Sequence, residues 1–261
     1  MASFPPVSLT CGPLIVFDFD GVLVDGMEEY WWAARTAAQR LAPRLSLLQD
    51  LPEAIPEGFR QLRPLIHKGW EMVLAAAELA RPDLRLEACL SAYDETVTGA
   101  LERWGWRPEQ LQDALERVRA EAISADSERW LARHRFYPGV PERLRQLQQE
   151  GADWSVLTTK GGAFAAAILR AAGLEPQGLD GHEQGSKPEV LQRLCAQGRP
   201  VWFVEDRRPT LETVVTTPGL EAVRCFLVSW GYLGPGDRDD LPASIRLLGQ
   251  DQFAGPLALW P

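Results

Sequence analysis

The chain has 261 residues, of which 46% are hydrophobic, so it can bury the core of one large domain or of two unequal ones. Its formal net charge of −9 leaves no basic surface that would attract nucleic acid or anionic lipid non-specifically. The N-terminus lacks the pattern of an export signal, no apolar run is long enough to span a bilayer, and the four cysteines lie far apart without a CxxC pair. We predict a cytoplasmic protein without nucleic-acid or membrane partners.

The first predicted strand is the apolar run Leu14–Phe17, and it leads into FDFDGVLVD, residues 17–25. Asp18 and Asp20 can face the same side of an extended backbone, and Gly21 permits a sharp turn behind them. Carboxylates placed so close repel one another, and a buried pair stays ionised only if a cation or hydrogen-bond donors share the site. The stretch therefore predicts a positively charged ligand at the end of this strand.

From about Gly26 to Arg135 the pattern is almost entirely helical. Four segments repeat apolar residues at helical spacing, with proline or glycine breaks between them: Glu28–Leu41, Pro64–Leu79, Leu86–Leu101 and Pro108–Ile123. The tryptophans of this stretch are expected to form the core of a small helical bundle. We predict an all-helical insertion at 25–135, with Asp25 bracing its entry, in a core made of residues 1–24 and 136–261.

After the insertion, short apolar runs alternate with helical patterns. The runs predict buried parallel strands at Trp154–Leu157, Val201–Val204 and Cys225–Val228. The helical patterns fall at Pro141–Glu150, Ala163–Ala172, Pro188–Ala196 and Thr210–Thr216. This alternation predicts an α/β fold whose core is a doubly wound, Rossmann-like parallel sheet.

Reactive groups of an open parallel sheet collect at the carboxyl ends of its strands. Hydroxyl, lysine and carboxylate side chains follow the predicted strands at these ends. They are Thr158-Thr159-Lys160 after the second strand, Glu205-Asp206 after the third, and Lys187 at the start of the helix before the third. Mg²⁺ prefers oxygen ligands, usually one or two carboxylates plus substrate phosphate oxygens, and Asp18 and Asp206 would supply the carboxylates.

A phosphoryl group bound at such an ion needs further donors, which a threonine hydroxyl, a lysine and turn amides can provide. We therefore expect Gly21, Thr159 and Lys160 to contact the substrate. A carboxylate held at the phosphorus can act as a nucleophile, and a second acid nearby can protonate the leaving oxygen and later activate water.

FDFDGVLVD, VLTTK, GSKPEVL and VWFVED resemble, in this order, the four motifs of the haloacid dehalogenase superfamily. The resemblance covers about residues 14–24 and 136–232. It implies that Asp18 is the nucleophile and that Asp20 is the general acid and base, which also lends its backbone carbonyl to Mg²⁺. It further implies that Thr158 and Lys187 hold the transferring phosphoryl group.

The resemblance also implies that Asp206 binds the metal and that the helical insertion is the mobile cap of this family. The segment LVSWGYL, residues 227–233, is similar to phosphoglycolate phosphatase-like members. Glu205 stands where the fourth motif commonly has glycine, and Thr210 where a later acid would fall, so we expect Glu205 to take part in the metal site. Thr159 replaces a frequent asparagine. None of these changes removes a catalytic group.

Several reactions of the family compete. Asp20 argues against a dehalogenase and against a phosphonatase, because the members that catalyse those reactions lack this acid. Gly26 and Tyr30 stand where hexose-phosphate mutases typically carry threonine and histidine, which favours hydrolysis. We predict a Mg²⁺-dependent phosphatase of a small phosphorylated metabolite. The alternatives are a non-catalytic relative, a phosphomutase and a phosphonatase, and the sequence does not indicate the oligomeric state.

Two basic residues of the insertion are candidates for substrate discrimination. Arg63 and Lys68 flank the start of the predicted helix Pro64–Leu79, where a cation can reach a substrate carboxylate or a second phosphate. Phosphate itself would be held by the core, so discrimination between substrates would fall to the insertion, with these two residues as candidates. The alternative is that both side chains only solvate its outer face.

Overall fold

The structure is a computed structural model that describes residues 12–261. The first eleven residues of the predicted core, with Cys11, lie outside the described part. The strands are β1 Leu14–Phe17, β2 Val24–Asp25, β3 Arg135–Phe136, β4 Asp153–Leu157, β5 Gly178–Asp180, β6 Val201–Glu205, β7 Arg224–Val228 and β8 Ile245–Leu248. Six of them form one sheet in the order β5-β4-β1-β6-β7-β8, and every neighbouring pair in it is parallel.

The helices are α1 Met27–Leu41, α2 Ser46–Gln49, α3 Glu57–Leu62, α4 Gly69–Leu79, α5 Leu86–Ser91, α6 Tyr93–Trp104, α7 Pro108–Leu131, α8 Val140–Leu147, α9 Gly162–Ala171, α10 Lys187–Cys195, α11 Arg208–Thr216 and α12 Gln250–Ala254. Short 3-10 turns occur at Arg63–Leu65, Gln148–Glu150, His182–Gln184 and Leu257–Leu259. Helix α7 is kinked at Asp126, whose backbone is extended. Within the described residues, no helix is both long and apolar enough to cross a membrane.

The six-stranded sheet is apolar on both faces. In β1, Ile15 and Phe17 belong to the core under α8, α9 and α12, whereas Leu14 and Val16 belong to the core under α10 and α11. This alternation follows from the two-residue period of a strand, and the nearly continuous apolar runs follow from burial on both faces. The predicted doubly wound parallel α/β fold is confirmed.

The residues between β2 and β3 form helices, turns and loops. Helices α1, α4 and α7 pack against one another, and their core includes the buried Trp31 and Trp106. Trp32, Trp70 and Trp104 pack against that core, as predicted for the tryptophans of this stretch. The chain enters and leaves through the antiparallel pair β2 and β3, with Val24 opposite Phe136 and Asp25 opposite Arg135.

Two of the predicted helices in this segment are interrupted in the structure, and the predicted helix Pro108–Ile123 extends to Leu131. The predicted helix Pro64–Leu79 is a 3-10 turn followed by α4, because the backbone of Lys68 is extended, with φ −130° and ψ 148°. The predicted helix Leu86–Leu101 is two helices that meet at Ala92, with φ −138° and ψ 58°. The first break leaves Lys68 on a connection rather than inside a helix.

Candidate active site

The acidic cluster lies at the carboxyl ends of the two central strands. β1 and β6 are neighbours in register, with Phe17 opposite Val204, so Asp18 after β1 and Glu205 and Asp206 at the end of β6 meet at one place. All three side chains are buried, and each offers a carboxylate oxygen within 4.8 Å of the others. The cluster lies at the floor of a cavity of about 450 Å³ between the sheet and the helical segment.

A lysine joins two of the three carboxylates. Lys187 is the first residue of α10, and its Nζ lies 2.7 Å from Asp18 Oδ1 and 2.6 Å from Glu205 Oε2. The other oxygen of Glu205 accepts hydrogen bonds of 3.2 Å from the backbone amides of Asp206 and Arg207. Glu205 therefore uses both oxygens to organise the turn and the lysine at the floor of the cavity.

The site holds more negative charge than Lys187 balances. Burial and the neighbouring Glu205 carboxylate raise the pKa of Asp18 to about 7, although Lys187 opposes the change. Burial, Glu205 and Asp18 likewise raise the pKa of Asp206 above its ordinary value. Burial away from water and repulsion between like charges both disfavour the ionised form of a carboxyl group. A cation bound among these oxygens would reduce the repulsion and stabilise the ionised form.

Two glycines and a tyrosine fix the position of Asp206. The backbone amide of Tyr232 donates a 2.7 Å hydrogen bond to Asp206 Oδ2. A Cβ atom on Gly231 would lie 2.3 Å from the Cβ of Asp206, and one on Gly21 would lie 1.9 Å from Asp206 Oδ2. Gly21 also has φ +96°, a conformation that side chains disfavour. Gly21 thus makes room for Asp206 and turns the chain after Asp20.

Tyr232 also connects the core to the entry of the helical segment. Its hydroxyl donates a 2.7 Å hydrogen bond to Asp25 Oδ1 and accepts one of 2.8 Å from the backbone amide of Gly26. Asp25 Oδ1 in addition accepts a bond from the amide of Met27, at the start of α1. Asp25 therefore holds the first turn of the helical segment, as its predicted bracing role requires.

The stretch after β4 contributes three neighbouring residues with different surroundings. Thr158 is buried, and its hydroxyl accepts a 3.0 Å hydrogen bond from the backbone amide of Lys160. Thr159 is exposed and lines the cavity. Lys160 also lines the cavity, but its Nζ lies 3.3 and 3.4 Å from the two carboxylate oxygens of Asp20.

The helical segment adds a buried ion pair behind Lys160. Arg119 of α7 donates from Nε and Nη2 to the two oxygens of Glu29 in α1, over 2.8 and 2.7 Å. Burial alone would raise the pKa of Glu29, but the charges of Arg119 and Lys160 lower it to about 2. Sequence reasoning missed Glu29 and Arg119. The only available signal was an acid next to the apolar residues of a predicted amphipathic helix.

Arg63 and Lys68 lie in different environments at the cavity. The guanidinium carbon of Arg63 lies 5.0 Å from the ring centre of Tyr30 and 4.3 Å from that of Tyr232. Within the part of the chain that the structure describes, the buried Nε atom of Arg63 has no hydrogen-bond partner. Lys68 is exposed at the mouth of the cavity.

The parallel α/β fold and the acids at its strand ends are the features that the sequence analysis associated with the haloacid dehalogenase superfamily. A family model described as haloacid dehalogenase-like hydrolase matches residues 13–212, so the chain belongs to this family of hydrolases, and the predicted resemblance is confirmed.

Three of the similar proteins are phosphatases by their descriptions. The N-acetylmuramic acid 6-phosphate phosphatase of Pseudomonas aeruginosa is 26% identical over 234 residues, which cover 85% of this chain and 84% of that protein. The crystal structure of a predicted phosphoglycolate phosphatase from Haemophilus somnus 129pt superposes with a TM-score of 0.59 at 18% identity, over 95% of this chain and 97% of that one. A predicted phosphatase from Clostridium acetobutylicum has a TM-score of 0.56 at 14% identity, with coverage of 91% and 94%. These structures support the fold.

Proposed function

We propose that the chain is a Mg²⁺-dependent phosphatase that hydrolyses a small phosphorylated metabolite through an aspartyl-phosphate on Asp18. The observation that carries the proposal is the convergence of Asp18, Glu205 and Asp206 on one buried spot, with Lys187 in contact with two of them. Membership of the hydrolase family and similarity to a curated phosphatase support it.

The donor set at this spot fits a magnesium ion. Carboxylate oxygens are the ligands that Mg²⁺ prefers. Burial and the neighbouring Glu205 carboxylate raise the pKa values of Asp18 and Asp206, and a cation among these oxygens would oppose that effect. Asp18, Asp206 and the backbone carbonyl of Asp20 would hold the ion, with Glu205 at its side. When bound, the ion would neutralise charge on the phosphoryl oxygens and orient that group.

The two acids of the first motif divide the chemistry. An oxygen of Asp18 attacks phosphorus, the bond to the leaving oxygen breaks, and Asp20 gives that oxygen its proton. In the second half, Asp20 takes a proton from a water whose oxygen attacks the phosphorus, which releases inorganic phosphate and restores Asp18. Both acids are buried and line the same cavity, which supports this division.

The charge that spreads over the phosphoryl oxygens needs fixed donors. Lys187 is proposed for this role because its Nζ already lies 2.7 Å from the attacking carboxylate. Thr158, Thr159 and the turn amides after Gly21 are the further candidates. Thr158 is buried and directly precedes Thr159, which lines the cavity.

We propose that residues 25–135 act as a cap that selects the leaving group, with Arg63 as its main cation. A half-buried guanidinium that lies 5.0 and 4.3 Å from two aromatic ring centres, and whose Nε has no hydrogen-bond partner among the described residues, is suited to bind a substrate anion. Lys68 would act from the mouth of the cavity. The substrate would then carry a second anionic group besides its phosphate, as phosphoglycolate and N-acetylmuramic acid 6-phosphate both do.

The compartment is proposed to be the cytoplasm, with no nucleic-acid or membrane partner. The net charge of −9 supports the second part. Cys89, Cys195 and Cys225 are free within the described part of the chain, which is typical of a reducing compartment.

The proposal is tested by phosphate release from a panel of phosphorylated metabolites and p-nitrophenyl phosphate, with Mg²⁺ and with EDTA. We expect turnover with Mg²⁺, none with EDTA, and none for Asp18→Asn, because an amide cannot attack phosphorus. Asp50→Asn is the matched control, since Asp50 is exposed on the helical segment. Full activity in EDTA or in Asp18→Asn contradicts the mechanism, and no turnover of any substrate favours a non-catalytic binding protein.

A further inference from the structure

Lys160 contacts both oxygens of the Asp20 carboxylate, which also lies beside the phenol of Tyr30. Lys160 Nζ lies 3.3 Å from Oδ1 and 3.4 Å from Oδ2. Burial and the neighbouring Asp20 carboxylate raise the pKa of Tyr30. Lys160 itself is almost fully buried, with 2% of its side chain exposed. A buried lysine that reaches both oxygens of a carboxylate restrains the rotation of that carboxylate about its last bond.

The helical segment encloses the ammonium group of Lys160 on its other side. Glu29 Oε2 lies 3.9 Å from Nζ, and the ring centre of Tyr30 lies 4.8 Å from it. Glu29 is in turn fixed by the two hydrogen bonds from Arg119, and Trp130 Nε1 lies 3.4 Å from it. Helices α1 and α7 therefore restrict the position of the Lys160 ammonium group. The ammonium group in turn restrains the orientation of the Asp20 carboxylate.

We infer that Lys160 is a positioning residue for the general acid, held in place by Glu29 of the helical segment. The inference rests on the proposed function, because it concerns the proton that Asp20 gives to the leaving oxygen. Proton transfer requires the donor oxygen within hydrogen-bond reach of the leaving oxygen, and a misplaced group loses much of its effect. Lys160 thus acts on the reaction through Asp20, in contrast to Lys187, which contacts the nucleophile directly.

The reaction itself offers a selective test. A phenol that is comparatively acidic can leave as its anion, without receiving a proton from Asp20. A less acidic phenol needs the proton that Asp20 donates to its oxygen. We therefore compare kcat/KM for a series of para-substituted phenyl phosphates, which share one shape and differ in the acidity of the phenol. For Lys160→Met we expect a loss of about 10²-fold on the least acidic phenol and less than about threefold on p-nitrophenol, so that the dependence on leaving-group acidity becomes steeper.

Two further variants separate positioning from a general structural defect. Lys160→Gln keeps a hydrogen-bond donor in place of the ammonium group, and we expect it to restore part of the loss on weakly acidic leaving groups. In the Asp20→Asn background, Lys160→Met should add no further loss on any member of the series, because the group on which Lys160 acts is gone. Thermal melting of each variant shows whether it is folded.

The outcomes are distinct. A uniform loss across the series in both Lys160 variants means that Lys160 contacts the substrate or supports the fold, and it overturns the inference. An additional loss from Lys160→Met in the Asp20→Asn background overturns it as well. If the wild-type chain hydrolyses neither the aryl phosphates nor any phosphorylated metabolite of the panel with Mg²⁺ present, the proposed function fails. That result differs from wild-type turnover with an unchanged dependence on leaving-group acidity in Lys160→Met, which overturns the inference alone.

Discussion

The buried pair between Glu29 and Arg119 allows a quantitative prediction for Glu29→Gln. The side chains of Glu29 and Arg119 are 0% and 4% exposed, so the substitution leaves a buried guanidinium without its partner. Loss of one member of such a pair typically costs about 3–5 kcal/mol of folding free energy. The pKa of Glu29 leads to a similar figure. It falls from 4.5 to about 2 on folding, which corresponds to about 3 kcal/mol at roughly 1.4 kcal/mol per pH unit.

The assay is thermal and urea unfolding of Glu29→Gln against a matched control on the same helix. A loss of about 3 kcal/mol lowers the Tm by roughly 6–12 °C for a chain of this size. Glu28→Gln removes the neighbouring acid, whose partner Arg135 is 72% exposed, and should cost less than about 1 kcal/mol. Equal unfolding midpoints for the two variants would refute the reasoning.

The same pair gives a pH dependence with a definite sign. Because the folded-state pKa of Glu29 lies below its ordinary value, its contribution to stability is present above about pH 4.5 and is lost as the pH falls towards about 2. The difference in stability between wild type and Glu29→Gln should therefore be constant near neutrality and shrink in acid. A difference that grows in acid would mean that another group is responsible.

Three further predictions concern the cavity. Mg²⁺ should raise the Tm of the wild type through preferential binding to the folded state, and much less that of Asp206→Ala; an equal rise in both would place the ion elsewhere. Arg63→Ala should lower kcat/KM strongly on the best natural substrate and little on p-nitrophenyl phosphate, with a smaller selective effect for the exposed Lys68→Ala, whereas equal losses on both substrates would reject a role in discrimination. Gly231→Ala should reduce Mg²⁺ affinity, measured by titration of activity, because the added methyl group would meet the Cβ of Asp206 at 2.3 Å; an unchanged affinity would contradict the tight packing there.

The parts of the fold that the sequence predicts are those in which burial leaves a strong pattern. Four of the six strands of the main sheet are continuous apolar runs because both faces are covered. The two that were not predicted, β5 and β8, lie at the edges of the sheet. β5 has only three residues, Gly-Leu-Asp, and β8 exposes Arg246 and Leu247, so neither shows a continuous buried run.

Some residues of the candidate site could likewise be predicted from the sequence, and others could not. Asp18, Asp20 and Asp206 follow strands and could be located because strand ends meet at one edge of the sheet. Glu29, Arg119 and Tyr232 come from segments far apart in the sequence, and only tertiary packing brings them to Lys160 and Asp25. The helical pattern of the sequence indicates which side of α1 is buried. It does not indicate which basic side chain will pair with Glu29 there.

Because β2 pairs with β3, the helical segment between them could be replaced as one unit during evolution. Val24 and Asp25 lie opposite Phe136 and Arg135, so the whole helical segment begins and ends at one short antiparallel pair of strands, with its two ends about 5 Å apart. Along the backbone, the rest of the described chain is joined to the segment only at that junction. Since the entropy of closing a loop grows slowly with its length, segments of very different size can be exchanged at this junction with little effect on the sheet. Recombination at this one place could therefore supply a new recognition surface in one step while the paired acids stay where they are.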